Sequence, residues 1–582
     1  MCGFSGFLHG SVNGFVVEPD DGLAELLKQR GPDAQRILKT EHGVFYHARL
    51  AIQDPGVGAN QPFEDANYVL VFNGEIYNHK ALRKQYSLEC RDDSDTATLG
   101  ALIDKLGPVA TVRRLEGMYA LAVYNKRTRE LILSRDRYGQ KPLYISVTPD
   151  IVFSSVLSTF IKHYSSRLCD LDIEGVEDYL ALGYGLGDRT LLKGVRRVLP
   201  GEIVTLRWNG SRYTVISEHF DAQSHVFQGD TNEIEETVGD CLMSDRGVGA
   251  LLSGGLDSSS VAAAMKSIGT SFTAYTLSFE NKSFDETSTA ARTAKTISCE
   301  HKNFTYTVQA ADEVFRRLAV IFDDPIADPS MIPTAVLMKN VRNTDVVVLG
   351  GDGGDEQFGG YRRYKMARLA TKLLIVPLLT RLLAAKVARF GLKRSQRIRN
   401  LYTWLGLGRS EENWNKFEAV ITAKDLPEMA SALICGSYYL KSYFSGVSKE
   451  NLEKYLVKFD MESFLPNSVL TKVDRSSMAF GVECRAPFLS GKWASLGYQH
   501  HDGKERIKAY LKSRGLDFLV SVPKAGFGVP PTFLESCSRY KEAQESARRH
   551  STFNDFLTQC SVSSTEFRRV ILFKWLTTYE IL

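Results

Sequence analysis

The chain is most constrained by a short apolar run that leads directly into a glycine turn and then into a helical pattern. The run is VGALL at residues 248–252, two glycines follow it, and helical spacing continues through residues 261–265. An apolar run of this length, bounded by a turn, is typical of a parallel strand buried on both faces. Similar runs recur at residues 274–277 and 346–349, separated by helix-like sequence. This βαβ rhythm predicts a doubly wound parallel α/β domain with extra helices across residues 236–582.

The first part of the chain has a different pattern, in which short apolar runs alternate with turn signals. Residues 69–72 (VLVF), followed by Asn73-Gly74, predict a strand that ends in a tight turn. The runs at residues 119–124 and 131–133 predict a pair of antiparallel strands around the polar turn between them. We therefore expect a strand-rich, antiparallel first domain that also contains some helices.

The domain boundary is expected where both patterns weaken. Residues 206–235 are polar and mixed, with little helical periodicity. We therefore predict a first domain over residues 1–205, a linker over residues 206–235 and a second domain over residues 236–582.

Composition excludes several classes of protein. Of the 582 residues, 43% are apolar and 24% are charged, as in soluble globular proteins, so disordered and fibrous classes are excluded. A net charge of +4 gives no reason to expect nucleic acid as a partner. The nine cysteines include no CxxC pair, so neither a disulfide framework nor a zinc site is expected. No secretory signal or membrane-spanning run is recognised, and we expect a cytoplasmic protein.

One segment differs from the rest by its charge. Residues 361–400 contain twelve Lys and Arg and no Asp or Glu, together with the apolar run LLIVPLL at residues 373–379. The segment fits a solvated helical face whose apolar stripe packs on its own domain. It also fits a weak contact with an anionic, lipid-linked acceptor or with a membrane surface.

A candidate nucleophile stands at the start of the sequence. Cys2 becomes the first residue if Met1 is removed, and it then carries both a thiol and an α-amine that can accept the thiol proton. Asn73 and the N–H of Gly74 are placed to hold an oxyanion, as amide hydrolysis requires. Cys2, Asn73 and Gly74 are therefore predicted to be catalytic.

Charged residues near these motifs predict the substrate. Arg49 can bind an α-carboxylate through two hydrogen bonds, while Glu75 and Asp95 can hold an α-ammonium group. Together with Asn73 and Gly74 they describe a binding site for an amino acid with a side-chain amide, which is glutamine.

These motifs, in this order, closely resemble the class II glutamine amidotransferase domain. The resemblance implies an N-terminal αββα fold of the Ntn-hydrolase type that releases ammonia from glutamine. The motifs that carry it are Cys2-Gly3, RGPD at 30–33, NGEIYN at 73–78, Ser94-Asp95, LEGMYA at 115–120 and RDRYG at 135–139.

The glycine turn of the second domain is suited to bind phosphate. Glycines allow backbone N–H groups to approach an anion, and the helix N-terminus favours negative charge. The sequence lacks the lysine of a Walker motif, and it resembles instead the PP-loop of ATP pyrophosphatases, which cleave ATP to AMP and pyrophosphate. In that resemblance Asp257 binds Mg²⁺. The predicted ATP-binding residues of this loop are Leu252, Ser253, Gly254, Gly255, Asp257 and Ser258.

The remaining motifs extend the resemblance to the synthetase domain of the glutamine-dependent asparagine synthetase family. They are GGDGGDE at 350–356, LTKVDRSSM at 470–478, GVECRAPFL at 481–489 and KAGFGVP at 524–530. The resemblance implies that Leu277, Gly350 and Gly351 contribute to the ATP site and that Asp355 is a second Mg²⁺ ligand. It also implies catalytic roles for Asp352, Lys472 and Arg475, the last two by neutralising departing pyrophosphate. The family reaction uses glutamine, ATP, Mg²⁺ and aspartate, with ammonia passing through an internal tunnel, and family members suggest a homodimer.

Three departures from the family pattern leave the acceptor open. Asp352 replaces the usual glutamate, residues 324–333 lack an arginine that several members place there, and Ser490 replaces an aspartate. Two acceptors therefore remain: aspartate, and another carboxylate such as a uronic acid of a surface-polysaccharide precursor. A β-lactam-forming synthetase needs no ammonia and is less consistent with the intact Cys2, Asn73 and Gly74. A non-catalytic binding protein is less consistent with the presence of Cys2, Asp257 and Asp355.

Overall fold

A computed structural model describes most of the chain as two compact units. The first unit comprises residues 1–353, 465–495 and 506–582, and the second comprises residues 354–464 and 496–505. Within these units, the described residues are 2–9, 21–147, 150–164, 170–220, 232–279, 286–373, 375–383, 385, 419–420, 422–435, 440–441, 443–448, 450–491, 493, 503–522, 534, 536–562 and 564–582.

The N-terminal half of the first unit contains two six-stranded antiparallel sheets. One has the strand order β10-β8-β9-β1-β3-β2, and the other has the order β12-β11-β7-β6-β5-β4. The strands are β1 (Gly3–Leu8), β2 (Ala34–Thr40), β3 (Gly43–Arg49), β4 (Phe63–Glu64), β5 (Tyr68–Ile76), β6 (Gly117–Asn125), β7 (Glu130–Arg135), β8 (Tyr144–Ser146), β9 (Ile151–Ser154), β10 (Arg196–Arg197), β11 (Glu202–Trp208) and β12 (Tyr213–His219). The helices are α1 (Asp21–Lys28), α2 (His79–Tyr86), α3 (Asp95–Leu106), α4 (Pro108–Val112), α5 (Ser158–Tyr164) and α6 (Ile173–Leu182).

These elements form the four layers expected for this half of the chain. Apolar side chains from both sheets, among them Phe4, Phe45 and Val71, meet in one buried cluster between the sheets. A second cluster joins the outer face of β5 and β6 to α3, through residues such as Phe72 and Leu99. Helix α1 lies against β1 and β3 on the other sheet. The fold is therefore αββα, because each sheet buries one face against the other sheet and the opposite face against helices.

The structure corrects two details of the predicted first domain. Strand β5 continues through Asn73 and Gly74, which pair with Ala120 and Tyr119 of β6, so Asn-Gly forms no turn here. The sheet also continues beyond residue 205 through β11 and β12, which pair with each other. The polar composition of β12 suggested a linker because six of its seven residues are exposed at the edge of the sheet.

The predicted pair of strands around residues 125–129 is confirmed, because β6 and β7 form an antiparallel ladder.

The C-terminal half of the first unit contains the predicted parallel sheet, with the order β15-β14-β13-β16-β17. Every neighbouring pair in this sheet is parallel, and the order reverses at β13, so the doubly wound prediction is confirmed. The strands are β13 (Val248–Leu251), β14 (Thr273–Phe279), β15 (Glu300–Tyr306), β16 (Val347–Leu349) and β17 (Glu483–Arg485).

Helices surround this sheet and extend beyond it to the end of the chain. A π-helical segment (Asp460–Leu470) contains the boundary between the two units, and short 3₁₀ turns occur at Val57–Ala59, Pro487–Leu489 and Asp517–Ser521. The helices of the first unit are α7 (Asn232–Asp240), α8 (Leu256–Ser267), α9 (Thr287–Ile297), α10 (Val308–Arg316), α11 (Leu318–Ile321), α12 (Met331–Val341), α17 (Thr471–Met478), α18 (Glu505–Ser513), α19 (Ser538–Arg549), α20 (Ser551–Thr558) and α21 (Glu566–Thr578).

The second unit is helical in its described part and contains part of the basic segment. Its helices are α13 (Gly354–Phe358), α14 (Arg362–Leu373), α15 (Leu426–Cys435) and α16 (Leu452–Phe459). Arg363 and Tyr364 both donate to Asp460 Oδ2, each at 2.7 Å, which ties α14 to the end of α16. Ile375, Leu379 and Leu383 are 57–76% exposed, so the predicted packing of this apolar stripe is not seen among the described residues. Residues 386–400, which carry part of the basic charge, lie outside the described residues.

None of the described helices is both long enough and apolar enough to cross a membrane.

Buried ion pairs join the two halves of the first unit. Arg30 donates to both carboxylate oxygens of Asp474, at 2.7 and 3.0 Å, and Lys141 lies 3.9 Å from the same carboxylate. Arg197 is paired with Asp324 at 2.7 Å. All these side chains are at most 5% exposed, so each charge depends on its partner for stabilisation.

We predict that Asp474→Asn destabilises the first unit strongly. The substitution leaves the Arg30 and Lys141 charges buried without their carboxylate, and loss of one partner of a buried pair costs about 3–5 kcal/mol. The shift of the urea unfolding transition measures this effect.

Asp93→Asn is the matched control for that measurement, because Asp93 is fully exposed in its pair with Arg83. It should change the free energy of unfolding by less than about 1 kcal/mol. Equal effects of the two substitutions would contradict the assigned role of the buried pair.

Candidate active site

Cys2 lies at the start of β1 and is held by contacts to two of the predicted motifs. Its main-chain nitrogen donates to Asn73 Oδ1 at 3.0 Å, and its carbonyl oxygen accepts from Arg30 Nε at 3.2 Å. Burial raises the pKa of the Cys2 thiol, and the positive charge of Arg49 offsets this only in part. The thiol therefore needs a base, which the α-amine of a processed chain can supply.

Asn73 provides an unused donor beside Cys2. The side chain is fully buried, and in the described part of the chain no acceptor lies within hydrogen-bonding distance of Asn73 Nδ2. A buried N–H without an acceptor is costly unless a ligand supplies one. Gly74 follows on the same strand, where a Cβ atom would lie 2.1 Å from the carbonyl oxygen of Met118. Only glycine permits this close approach of β5 to β6, so both predicted oxyanion residues are positioned by the same ladder.

Glu75 and Asp95 form a buried pair of carboxyl groups. Asp95 begins α3 and accepts from the N–H of Ile76 at 3.2 Å, while Glu75 accepts from Gln53 and from Arg485, the latter at 3.0 Å. Burial raises the pKa of Glu75, and the Asp95 charge raises it further. Burial also raises the pKa of Asp95 to about 6. Such a pair favours a cationic ligand, in agreement with the predicted α-ammonium site.

Arg49 is close to this site, but its guanidinium group is already used. The two terminal nitrogens donate to the carbonyl oxygens of Gln53, Asp54 and Gly56 and to Asn60 Oδ1, at 2.5–3.0 Å. Arg49 therefore organises the loop after β3. Its predicted contact with a substrate carboxylate stays a prediction.

The predicted phosphate loop lies between β13 and α8. Ser258 Oγ accepts from the N–H of Ser253 at 3.2 Å and contacts the Ser253 hydroxyl at 3.1 Å, which holds the turn closed. Gly254 has a φ of +80°, a conformation that favours glycine. Leu252 is tied to β14 by its N–H, which donates to the carbonyl oxygen of Tyr275 at 2.8 Å. Backbone N–H groups and the N-terminus of α8 thus converge at one end of the parallel sheet.

The loop after β16 meets this phosphate loop. A Cβ atom on Gly351 would lie 2.7 Å from the nitrogen of Ser258 and 2.8 Å from Cβ of Asp257, so the two loops are in direct contact. Leu277 is buried in the neighbouring strand β14. Gly350 donates its N–H to the carbonyl oxygen of Arg485 at 2.8 Å. The structure therefore brings most of the predicted ATP-binding residues to the carboxyl end of the sheet.

The two predicted Mg²⁺ ligands have different surroundings. Asp257 lies in the first turn of α8, where a single carboxylate is sufficient for Mg²⁺ that also binds substrate phosphates. Asp355 belongs to the second unit, where Lys504 Nζ lies 2.5 Å from Asp355 Oδ1. The described residues contain no group of three potential metal ligands. Asp257 therefore fits a magnesium site that depends on nucleotide phosphates, and Asp355 would have to exchange Lys504 for a metal.

Three further residues were predicted to act near pyrophosphate or the acceptor. Asp352 follows β16, and burial together with the Asp352 charge raises the pKa of the Cys484 thiol. Lys472 Nζ donates to Ser330 Oγ at 2.8 Å and is paired with Asp328 at 3.3 Å. The role predicted for each of these two residues stays a prediction.

The role predicted for Arg475 stays a prediction, and the structure gives its side chain other partners. Its guanidinium is 3% exposed and is bound by Asp323 at 3.1 Å, by the hydroxyl of Tyr144 at 3.0 Å and by the carbonyl oxygen of Ser155 at 3.1 Å. Tyr144 and Ser155 belong to the N-terminal half, so Arg475 joins the two halves.

Sequence reasoning missed the residue that connects the two sites. Arg485 of β17 donates to Glu75 at 3.0 Å and to Glu483 at 2.6 Å, and it is completely buried. It stands in the GVECRAPFL motif, but nothing in the linear sequence relates this motif to Glu75. Only the packing of the two sheets shows that relation.

Comparisons with known proteins identify two domains along the chain. A glutamine amidotransferase domain matches residues 1–216, and an asparagine synthase domain matches residues 231–496. The chain belongs to the asparagine synthetase family. The first matched domain ends at residue 216 within β12, which agrees with the extended sheet and not with a boundary at residue 205.

The proteins similar to this chain include asparagine synthetases and an amidase. Asparagine synthetase [glutamine-hydrolyzing] 1 of Bacillus subtilis is 28% identical over 84% of this chain and 79% of its own length. The corresponding enzyme of Cricetulus griseus is 31% identical over 58% of this chain and 63% of its own length. Amidase chyE of Penicillium rubens is 27% identical over 63% of this chain and 60% of its own length.

We predict that the KM for glutamine rises as the pH falls through about 6, the value to which burial raises the pKa of Asp95. Protonation removes the negative charge that would hold the α-ammonium group, so binding weakens on the acidic side and is strongest above this pKa. Glutaminase kinetics from mildly acidic to neutral pH measure this dependence. Asp95→Asn should raise KM and remove the inflection, and an unchanged inflection in this variant would assign the titration to another group.

Proposed function

We infer that this family member is a glutamine-hydrolysing asparagine synthetase, which amidates an adenylated aspartate with ammonia from glutamine. The observation that carries this proposal is the presence, in one compact unit, of a buried cysteine with an unused amide donor and of a glycine phosphate loop. Neither site alone requires the other. Together they supply a nitrogen donor and an activated carboxylate.

The glutaminase half-reaction follows from the first site. The Cys2 thiolate attacks the side-chain amide of glutamine, and Asn73 Nδ2 with the N–H of Gly74 stabilises the resulting oxyanion. Collapse of this intermediate, with a proton returned from the α-amine to the departing nitrogen, expels ammonia and leaves a thioester, which water hydrolyses to glutamate and free thiol. Glu75 and Asp95 hold the α-ammonium group during both steps.

The synthetase half-reaction is assigned to the carboxyl end of the parallel sheet. A carboxylate oxygen of the acceptor attacks the α-phosphorus of ATP, and the bond to pyrophosphate breaks. The N–H groups of the loop 253–255 and the N-terminus of α8 bind the phosphates, and Asp257 would hold Mg²⁺, which neutralises phosphate charge when bound. Ammonia then attacks the acyl-adenylate carbon, a proton is lost, and AMP leaves.

An apolar cluster extends from the surroundings of Cys2 to β16. The main-chain N–H of Leu50 interacts with the Cys2 thiol, and the Leu50 side chain packs with Ile52, Met118, Val347 and Met478 in one buried cluster. Val347 belongs to β16, which leads directly to Gly350 and Gly351. An apolar path would keep ammonia unprotonated and therefore nucleophilic. We propose that ammonia crosses the unit along this cluster.

One observation favours a second acceptor. The segment 324–333 lacks arginine, and its Asp324 and Asp328 are paired with Arg197 and Lys472. Among the described residues, this segment therefore offers no unpaired cation to an acceptor carboxylate. An anionic sugar such as a uronic acid, bound mainly through its hydroxyl groups, is therefore the alternative acceptor.

The acceptor experiment measures pyrophosphate release by the purified protein with ATP and Mg²⁺, using either glutamine or ammonium as the nitrogen donor. We predict that aspartate stimulates release and that asparagine forms in equal amount, as detected by mass spectrometry. Asp257→Asn should abolish pyrophosphate release and retain glutaminase activity, because Asp257 lies in the phosphate loop and not at Cys2. An active glutaminase that does not respond to aspartate would contradict the asparagine proposal, and a response to a uronic acid would support the alternative.

A further inference from the structure

A small cavity lies where the start of β6 meets the segment after β17. Its volume is about 60 Å³, and its walls include Tyr119, Arg137, Glu116, Leu489 and Gly491. All of these belong to the first unit. Since about 10–15 Å³ of solvent-accessible volume holds one water molecule, the cavity holds a few waters or a small ion but not a nucleotide.

Two buried polar atoms of this cavity have no hydrogen-bond partner among the described residues. Tyr119 is 1% exposed, and its hydroxyl makes no hydrogen bond in the described part of the chain. Arg137 Nη2 is likewise buried without an acceptor among the described residues. Buried polar groups of native proteins are nearly always satisfied by protein, water or an ion.

The carboxylate next to Arg137 in sequence is bound by other groups. The two oxygens of Asp136 accept from the main-chain nitrogens of Tyr119, Tyr138, Gln140 and Lys141 at 3.0–3.2 Å. Glu116 also lines the cavity. The cavity therefore combines a guanidinium nitrogen that has no acceptor among the described residues with a buried hydroxyl group.

The hydroxyl is suited to donate to an anion. Burial raises the pKa of Tyr119, so the group remains protonated at neutral pH. A protonated phenol can donate one hydrogen bond, and a guanidinium has donors and no acceptor, so both groups can donate to an anion, whose charge strengthens each contact.

We propose that this cavity binds one small anion, a halide or a formate-sized carboxylate, between Arg137 and the hydroxyl of Tyr119. This site is separate from the glutamine and ATP sites, and the proposal does not depend on the identity of the acceptor. Halide and carboxylate share the chemistry that these two donors recognise, so the experiment tests each of them.

The position of the anion suggests what it stabilises. Tyr119 is the register partner of Gly74, so the proposed ligand lies behind the strand that presents the oxyanion donors. Leu489 and Gly491 close the cavity from the C-terminal half. A bound anion would therefore strengthen the contact between the two halves of the first unit next to the glutaminase site.

The test measures the apparent melting temperature of the full chain in sodium chloride, sodium formate and sodium gluconate at equal ionic strength. Gluconate is too large for the cavity and serves as the reference salt. We expect a saturable rise with chloride or formate relative to gluconate, because a ligand that binds only the folded state stabilises it. The salt that raises the melting temperature shows whether the cavity binds a halide or a carboxylate.

Two substitutions connect this response to the cavity. Tyr119→Phe removes only the hydroxyl and should raise the half-saturating concentration about tenfold or more, as loss of a hydrogen bond to a charged group predicts. Arg137→Met should remove the response. Arg113→Met is the matched control, because Arg113 lies at the rim and is paired with Glu218 at 3.0 Å. It should retain the full response.

The proposal is overturned if the wild type responds equally to all three salts. It is also overturned if Tyr119→Phe retains the wild-type half-saturation. If Arg137→Met does not fold, the conservative Tyr119→Phe variant still decides the question.

Discussion

Asp474 receives two hydrogen bonds from Arg30 and lies close to Lys141, and all three groups are buried. Arg30 also donates to the carbonyl oxygen of Cys2. One ionic contact thus fixes the N-terminal nucleophile and attaches α17 of the C-terminal half to it. Since a buried charge is tolerated only with its partner, this layer determines how the two halves can be packed. Arg475, Arg197 and Arg485 extend the same layer.

The layer explains why two chemistries can share one compact unit. Arg485 binds Glu75 at the glutamine site through its side chain and binds Gly350 at the phosphate site through its carbonyl oxygen. The two ligand sites are therefore connected through a single residue of β17. The apolar cluster around Met118 and Val347 fills the space beside this connection. The charged part of the interface fixes the geometry of the two halves, and the apolar part excludes water.

Local sequence patterns predicted the strands in which buried apolar residues follow one another without interruption. The parallel strands β13, β14 and β16 are short apolar runs, and the glycine turn before α8 has a local conformational cause. The pattern was misleading at Asn73-Gly74, because the glycine is required by the close approach of Met118 and not by a turn. It was also misleading at β12, where edge exposure makes a strand as polar as a linker. Both errors concern contacts that only the partner strand defines.

The same limit applies to the site residues. The grouping of Cys2, Asn73, Glu75 and Asp95 could be predicted because amide chemistry requires their residue types, and their roles stay predictions. The partners of Arg475 could not be predicted, since a buried arginine and a phosphate-binding arginine look alike in sequence, and Asp323 and Tyr144 are distant along the chain. Arg485 was missed for the same reason. Ion pairs between distant segments leave no local signal.

The measurement that tests most directly whether the two sites work together uses glutamine labelled with ¹⁵N at its amide. The purified protein receives labelled glutamine, ATP, Mg²⁺ and the acceptor that supports pyrophosphate release, with a large excess of unlabelled ammonium. If ammonia passes inside the unit along the cluster of Leu50, Met118 and Val347, the product amide retains the ¹⁵N content of glutamine. Dilution of the label in proportion to bulk ammonium would show that ammonia leaves the protein before it reacts, and would contradict the internal route.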